Sequence, residues 1–196
     1  ASFRYDGSYL FHKDHRWGFF PSVSVGWVMS QEDFFQSALP KIEYFKLRGS
    51  IGTLGNDNVT AFLYRKQFAY NASSVAFGST PASQGTLSNS VAFPFEDLTW
   101  ERTRTYDIGF EMSAWNGLLG VEFDYFYKYT FNILQSIGGI YPPSLGGHYP
   151  AYINDGTFDN RGFELVLRHR NRIGKFSYGV TGNLTFARNR ILSKQQ

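Results

Sequence analysis

Along this chain apolar and polar residues take turns over unusually long stretches. In RWGFFPSVSVGWVMSQEDFF, from Pro21 onward, Val23, Val25, Trp27 and Met29 share one parity while Ser22, Ser24 and Gly26 share the other. A period of two is the mark of a β-strand with one oily face. Seven such stretches predict strands over residues 2–11, 17–29, 44–53, 98–114, 118–134, 158–170 and 175–188. The fourth and fifth are joined at Asn116-Gly117, a strong tight-turn signal, and the last two across Asn171–Gly174.

Length separates the possible architectures. Strands of globular domains cluster near ~5 to 6 residues, whereas these alternate for well over ten. A strand crossing the hydrocarbon of a membrane needs about 9 to 11. The connections point the same way. Two long ones, Leu54–Asp97 and Gln135–Thr157, fall on one side of an up-and-down sheet, and the two tightest turns fall on the other. That asymmetry is the habit of outer-membrane barrels, with long loops outside and short turns beneath. Only the early pair of connections fits loosely.

Charge placement agrees. Acids and bases within the alternating stretches keep to the polar parity, and Arg102 and Arg104 break the apolar parity only near one strand end. Those two arginines are expected beyond the hydrocarbon. Pro21, which cannot donate to a ladder, is expected at a bulge or above the membrane-spanning part. Its strand should run from the outer surface inward, with Val23, Val25 and Trp27 facing lipid.

Composition narrows the picture further. The 20 Phe, 13 Tyr and 4 Trp with 20 Gly favour strands and turns over helices. No apolar run is long enough for a spanning helix. With no Cys, disulfides, thiolate metal sites and cysteine nucleophiles are excluded. A net charge of +3 without any basic block gives no reason to expect nucleic acid as a partner.

Five stretches occurring in order resemble one family: FRYDGSYLF, HRWGFFPSVSVGWVMSQEDFF, IEYFKLRGSIGTLGND, LTWERTRTYDIGFEMSAWNGLLGVEFDYFYKYTFNIL and FDNRGFELVLRHRNRIGKFSYGVTGNLTFARNRI. They are similar to the SusC/RagA-like, TonB-dependent outer-membrane transporters. The resemblance implies an all-β chain, about seven long antiparallel strands of a 22-stranded transmembrane barrel, located in the bacterial outer membrane. Residues 1–196 would be one part of a single barrel domain, without the plug domain, the TonB box or the C-terminal strands. Both ends of the chain read as cuts through a longer sequence. The implied activity is import of oligosaccharides or peptides, and the implied partners are TonB, acting through another part of the parent chain, a SusD-like substrate-binding lipoprotein and outer-membrane lipid. No cofactor is implied.

The polar parity supplies a candidate wall for a water-filled lumen: Glu101, Asp107, Glu111, Glu122, Asp124, Lys128, Glu164 and Arg168. Glu101, Asp107 and Glu111 with Glu122 and Asp124 could instead be read as a glycosidase-type carboxylate pair, but carboxylates on a wet barrel face are the plainer explanation. No nucleophile with a base at recognisable spacing is present, so the chain reads as a pathway and not as an enzyme. His12 and His15 suggest a metal pair, though a polar hairpin tip accounts for them and no metal is expected. In the long loops Tyr64, Phe68, Tyr70, Tyr141, Tyr149 and Tyr152 are the candidates for gripping substrate or meeting a partner. Packing the loop down is the plainer use of each. The rival architecture is a soluble β-sandwich, a carbohydrate-binding module in which the apolar parity is a core.

Overall fold

In the computed structural model, residues 1–76, 84–92, 94–137, 142 and 152–193 are described; of the strand residues 67–76 and 84–92 only the backbone is. The strands are β1 (Ser2–Gly7), β2 (Trp17–Val28), β3 (Ile42–Asn56), β4 (Gln67–Ala76), β5 (Gln84–Ala92), β6 (Glu101–Ala114), β7 (Leu119–Ser136), β8 (Tyr152–Ile173) and β9 (Phe176–Ser193). Seven form one sheet in the order β1-β2-β3-β6-β7-β8-β9, every pair antiparallel. It is a continuous meander, interrupted only by the separate β4–β5 hairpin.

The register keeps the two parities apart across the whole sheet. Leu47, Phe110, Phe123, Leu165 and Leu184 lie in one cross-strand row, with Trp27 opposite Leu47. Among the described residues no second layer of strands covers this face. Val25, Ile108, Val180 and Leu184 are 67%, 61%, 61% and 55% exposed. A sandwich would need a second sheet against them, and among the described residues the only other sheet is the β4–β5 hairpin. A bare apolar face of this extent suits lipid, not water.

Phenylalanines organise that face. Phe35, Phe45, Phe110, Phe123, Phe163 and Phe186 follow one another at centroid separations of 5.3, 5.6, 5.8, 6.1 and 5.9 Å, each pair near-parallel. Phe110–Phe123 and Phe163–Phe186 are directly opposed, while Phe45–Phe110 and Phe123–Phe163 are diagonal neighbours, which long side chains can still span. Its foot, Phe35, belongs to the short helix α1 (Asp33–Ala38) in the β2–β3 connection. Trp27 clamps that connection by donating from Nε1 to Glu32 Oε1 at 3.0 Å.

The turns opposite the long connections are tight. Asn116 and Gly117, with φ of 57° and 77°, form the centre of a turn closed by Leu118 N–H donating to the Trp115 carbonyl. Positive φ at both central positions is the type I′ geometry that Asn-Gly favours. The β8–β9 turn is tighter than the sequence suggests: Ile173 pairs Phe176, leaving Gly174, at φ 63°, and Lys175 as the whole loop.

Several boundaries depart from the alternation. The first strand ends at Gly7 rather than at residue 11, and Ser8 N–H donates to the Arg16 carbonyl to start the turn. Phe11, read as strand, is instead fully buried with Phe20, Leu98 and Trp100 in a small dry cluster at the long-connection end. The stretch read as one loop from Leu54 contains the end of β3 and the β4–β5 hairpin. Strand β8 begins at Tyr152, six residues before the expected start, so Tyr152 is a strand residue. Near the same end β7 bulges between Thr130 and Ile133, with Asn132 at φ 58°, and Leu134 packs against the Phe11 cluster. Pro21 pairs Phe3, but the ladder to β3 stops at Ser22, so the residue that cannot donate sits at the limit of the two-sided strand.

Candidate functional site

The face opposite the phenylalanines carries charge. Register places Asn56 against Glu101, Ser50 against Asp107, Lys46 against Glu111, Glu111 against Glu122, Thr105 against Lys128, Asp124 against Glu164 and Gly120 against Arg168. All eight polar positions read from the sequence therefore share one face.

Their spacing alone would set acid against acid, since Glu111 faces Glu122 and Asp124 faces Glu164. Like charges directly opposite destabilise a sheet. Arginines resolve it. Arg168 donates to Glu122. Arg48 Nη1 donates to Glu111 Oε1 at 2.5 Å, while its Nε and Nη2 reach Asp124 Oδ1 and Oδ2 at 3.0 and 2.5 Å. Asp124 is two strands from Arg48, and the side chain can cross because Gly109 stands opposite both residues. A Cβ at Gly109 would overlap Asp124 Oδ1 and the Phe123 carbonyl. Arg48 is the residue that sequence reading missed. Parity puts it on the right face, but only the register shows that it bridges two acids.

No catalytic arrangement emerges from these groups. Glu101 accepts from Asn56 Nδ2 at 3.2 Å, away from the arginine-bridged acids. The two histidines part company: His12 Nδ1 lies 3.1 Å from Asp14 Oδ2, and His15 Nε2 lies 3.8 Å from Asp97 Oδ1. Among the described residues no group of three His, Asp or Glu is placed to hold a metal ion.

A second feature lies at the long-connection end. Tyr64 meets His12 edge-on at 5.9 Å and Phe62 at 6.4 Å, and Phe62 meets Tyr9 at 6.2 Å. The Arg65 guanidinium sits 5.0 Å from the Phe62 ring centre and 5.6 Å from that of Tyr64. Phe62 was not singled out in the sequence. It holds φ 62°, a conformation costly for a bulky residue, and is 40% exposed. Of the other loop candidates, the side chains of Phe68 and Tyr70 and all of Tyr141 and Tyr149 lie outside the described residues. Tyr152 is half-buried and pairs Ser136.

A family model described as "TonB dependent receptor-like, beta-barrel" matches residues 1–195. The chain belongs to the TonB-dependent receptor β-barrel family. It is 30% identical over 194 residues to the TonB-dependent receptor SusC of Bacteroides thetaiotaomicron, covering 96% of this chain and 18% of that protein. It is 32% identical over 192 residues to TonB-dependent receptor P26 of Formosa agariphila, again covering 96% of this chain and 18% of the relative. The fold matches a structure of the RagAB peptide importer in its open-open state with a TM-score of 0.80 at 22% identity, over 98% of this chain and 20% of that one. The chain thus spans about a fifth of the length of these relatives. Its seven-stranded meander is a SusC/RagA-like TonB-dependent barrel segment. The uncovered phenylalanine face and the arginine-bridged face are the two sides of its wall.

Proposed function

We propose that this chain forms part of the wall of a 22-stranded, TonB-dependent importer in the bacterial outer membrane, with its apolar face in lipid and its charged face on the lumen. The observation that carries this reading is the exposed apolar face backed, across β3, β6, β7 and β8, by ion pairs. A wall with lipid on one side and water on the other requires that division; a folded core does not. Both sheet edges, β1 and β9, are unpaired within the sheet, and closure with neighbouring strands removes the hazard that long free edges carry.

In this reading the long-connection end faces outward, and Trp27 with α1 lies at the inner membrane interface, where indole rings are favoured. Glu101, Asp107, Glu111, Glu122, Asp124, Lys128, Glu164 and Arg168, joined by Arg48, form a hydrated wall past which substrate moves. Arg48 and Arg168 hold Glu111, Asp124 and Glu122 in place, so this part of the wall presents fixed ion pairs. The substrate class is oligosaccharides or peptides. RagAB, whose fold this chain shares, is a peptide importer, which supports the second. The cluster of exposed Tyr9, Phe62 and Arg65 with half-buried Tyr64 suits stacking on a sugar ring or a peptide side chain, or contact with a SusD-like lipoprotein. A plug and TonB act through other parts of the parent chain.

Uptake of labelled oligosaccharides and peptides by cells with and without the whole protein tests this. Loss of uptake of one class assigns the substrate. Undiminished uptake of both, with the protein present in the outer membrane of the parent cells, contradicts the reading.

A further inference from the structure

The apolar face ends abruptly in arginine. On β9 the face runs through Phe176, Tyr178, Val180, Gly182, Leu184 and Phe186, and the next two positions of that parity are Arg188 and Arg190. Ten rises of ~3.3 Å, tilted by ~45°, give roughly 23 Å of height, close to the ~25 Å apolar band of an outer-membrane barrel. Arg188 therefore falls at the level where hydrocarbon gives way to headgroups. Strands β8 and β6 repeat the transition, with Arg161 paired to Arg188 and Arg104 in the cross-strand row of Tyr129, Asp159 and Arg190.

The charges on this rim are out of balance. Asp159, 2% exposed, pairs with Arg190 at 3.2 Å. Arg161 and Arg188 face each other directly and are exposed, and among the described residues neither has an acidic partner. Two guanidinium groups opposed across a ladder repel unless an anion sits between them. Arginine is suited to that anion when it is a phosphate, because its planar fork matches phosphate oxygens and it is weakly hydrated. The aromatic neighbours fit the same depth, since Tyr127 stands opposite Arg161 and Tyr106 opposite Tyr127, and tyrosines favour the membrane interface.

We propose that Arg161 and Arg188, flanked by Arg104 and Arg190, form a binding site for the phosphate of an outer-leaflet lipid headgroup. The site lies on the outside of the wall, opposite the transport path. It rests on the outward orientation given under Proposed function. The occupant is a lipid because the pair sits at the upper border of the lipid-facing band, where a headgroup phosphate is held at high local concentration.

The test uses the whole protein purified in detergent, following the temperature at which its folded, heat-modifiable gel band is lost. Lipopolysaccharide from the outer leaflet is added, alongside its enzymatically dephosphorylated form and inorganic phosphate at matched phosphate concentration. The expected result is a rise of a few degrees with the phosphorylated lipid alone, and no rise in the Arg161→Gln/Arg188→Gln variant. An equal rise with dephosphorylated lipid, or with inorganic phosphate, overturns the proposal, as does an unchanged rise in the double variant. Should that variant fail to assemble, the three additives compared on the unaltered protein still decide it. The absence of any heat-modifiable band in the unaltered protein would instead contradict the barrel reading.

Discussion

Arg48 on β3 holds Asp124 on β7 across the intervening strand β6, with Nε 3.0 Å from Oδ1 and Nη2 2.5 Å from Oδ2. Three strands are tied by one side chain, and the crossing depends on Gly109 having none. Charge-assisted, two-pronged hydrogen bonds of this kind are strong, although both side chains remain partly open to water, at 35% and 20% exposure. A double-mutant cycle of Arg48→Gln and Asp124→Asn in the whole protein should give a coupling of about 1 to 2 kcal/mol, read from denaturant unfolding in detergent. Additive single effects would mean the bridge contributes nothing.

Gly109→Val should be more damaging than either change. Asp124 can move aside, but the Phe123 carbonyl is backbone and cannot yield without disturbing the β6–β7 ladder. Reduced amounts of folded, heat-modifiable protein in the outer membrane are expected. Wild-type levels would show that the close approach at Gly109 is unimportant.

The β6–β7 turn offers a local test. At Gly117, φ is 77° and an added Cβ would meet nothing within 4 Å, so Gly117→Ala isolates the backbone cost, about 1 kcal/mol. Asn116→Gly should be tolerated, because glycine accepts positive φ freely. Unfolding midpoints of the two variants check this, and an equal effect would argue against the type I′ geometry.

Opposite faces should differ in their tolerance of charge. Phe123→Lys places an ammonium in the middle of the phenylalanine ladder, at a cost of about 2 to 4 kcal/mol near mid-membrane. Ser24→Lys, on the polar face opposite Ser50, should leave assembly unchanged. The amount of assembled protein in isolated outer membranes distinguishes them; similar losses from both would contradict a lipid-facing and a water-facing side.

The exposed loop aromatics should matter for traffic and not for assembly. Replacing Tyr9 and Phe62 with serine removes rings that are 66% and 40% exposed and leaves the buried Phe11 cluster intact. Barrel levels should hold while uptake or lipoprotein binding falls severalfold. Unchanged uptake and binding would relegate the cluster to loop packing.

The strands were legible because their parity holds for so long: the alternation traces β7 as far as Thr130 and β9 as far as Phe186, though not the bulge beyond Thr130 or the run of β9 on to Ser193. The Asn116-Gly117 turn was legible because positive φ selects those residues. Three features were not. Alternation continues through Tyr9 and Phe11, yet the chain turns after Gly7, which lies against the Trp17 ring where a side chain would not fit. In Gln67–Ala76 the apolar parity of Phe68 and Tyr70 lapses after Ala72, and Gln84–Ala92 has only Leu87, Val91 and Ala92 among polar residues and glycine, so β4 and β5 were hidden in a loop. Arg48 lies 76 residues before Asp124. Their meeting depends on the register of three strands, which no local pattern encodes. The arginine pair on the outer rim was hidden for the same reason, since Arg161 and Arg188 meet only in the β8–β9 register.

On the proposed orientation, one face of this sheet meets lipid and the other water. This chain has no cysteine, and in a whole protein with any cysteine elsewhere replaced, single cysteines at Val121, Glu122, Phe123, Asp124, Tyr125 and Phe126 on β7 can each carry a spin label after reconstitution into bilayers. Accessibility to oxygen, which dissolves in lipid, should peak at Val121, Phe123 and Tyr125. Accessibility to a water-soluble nickel chelate should peak at Glu122, Asp124 and Phe126. Alternation with the opposite phase, or none at all, would contradict the account.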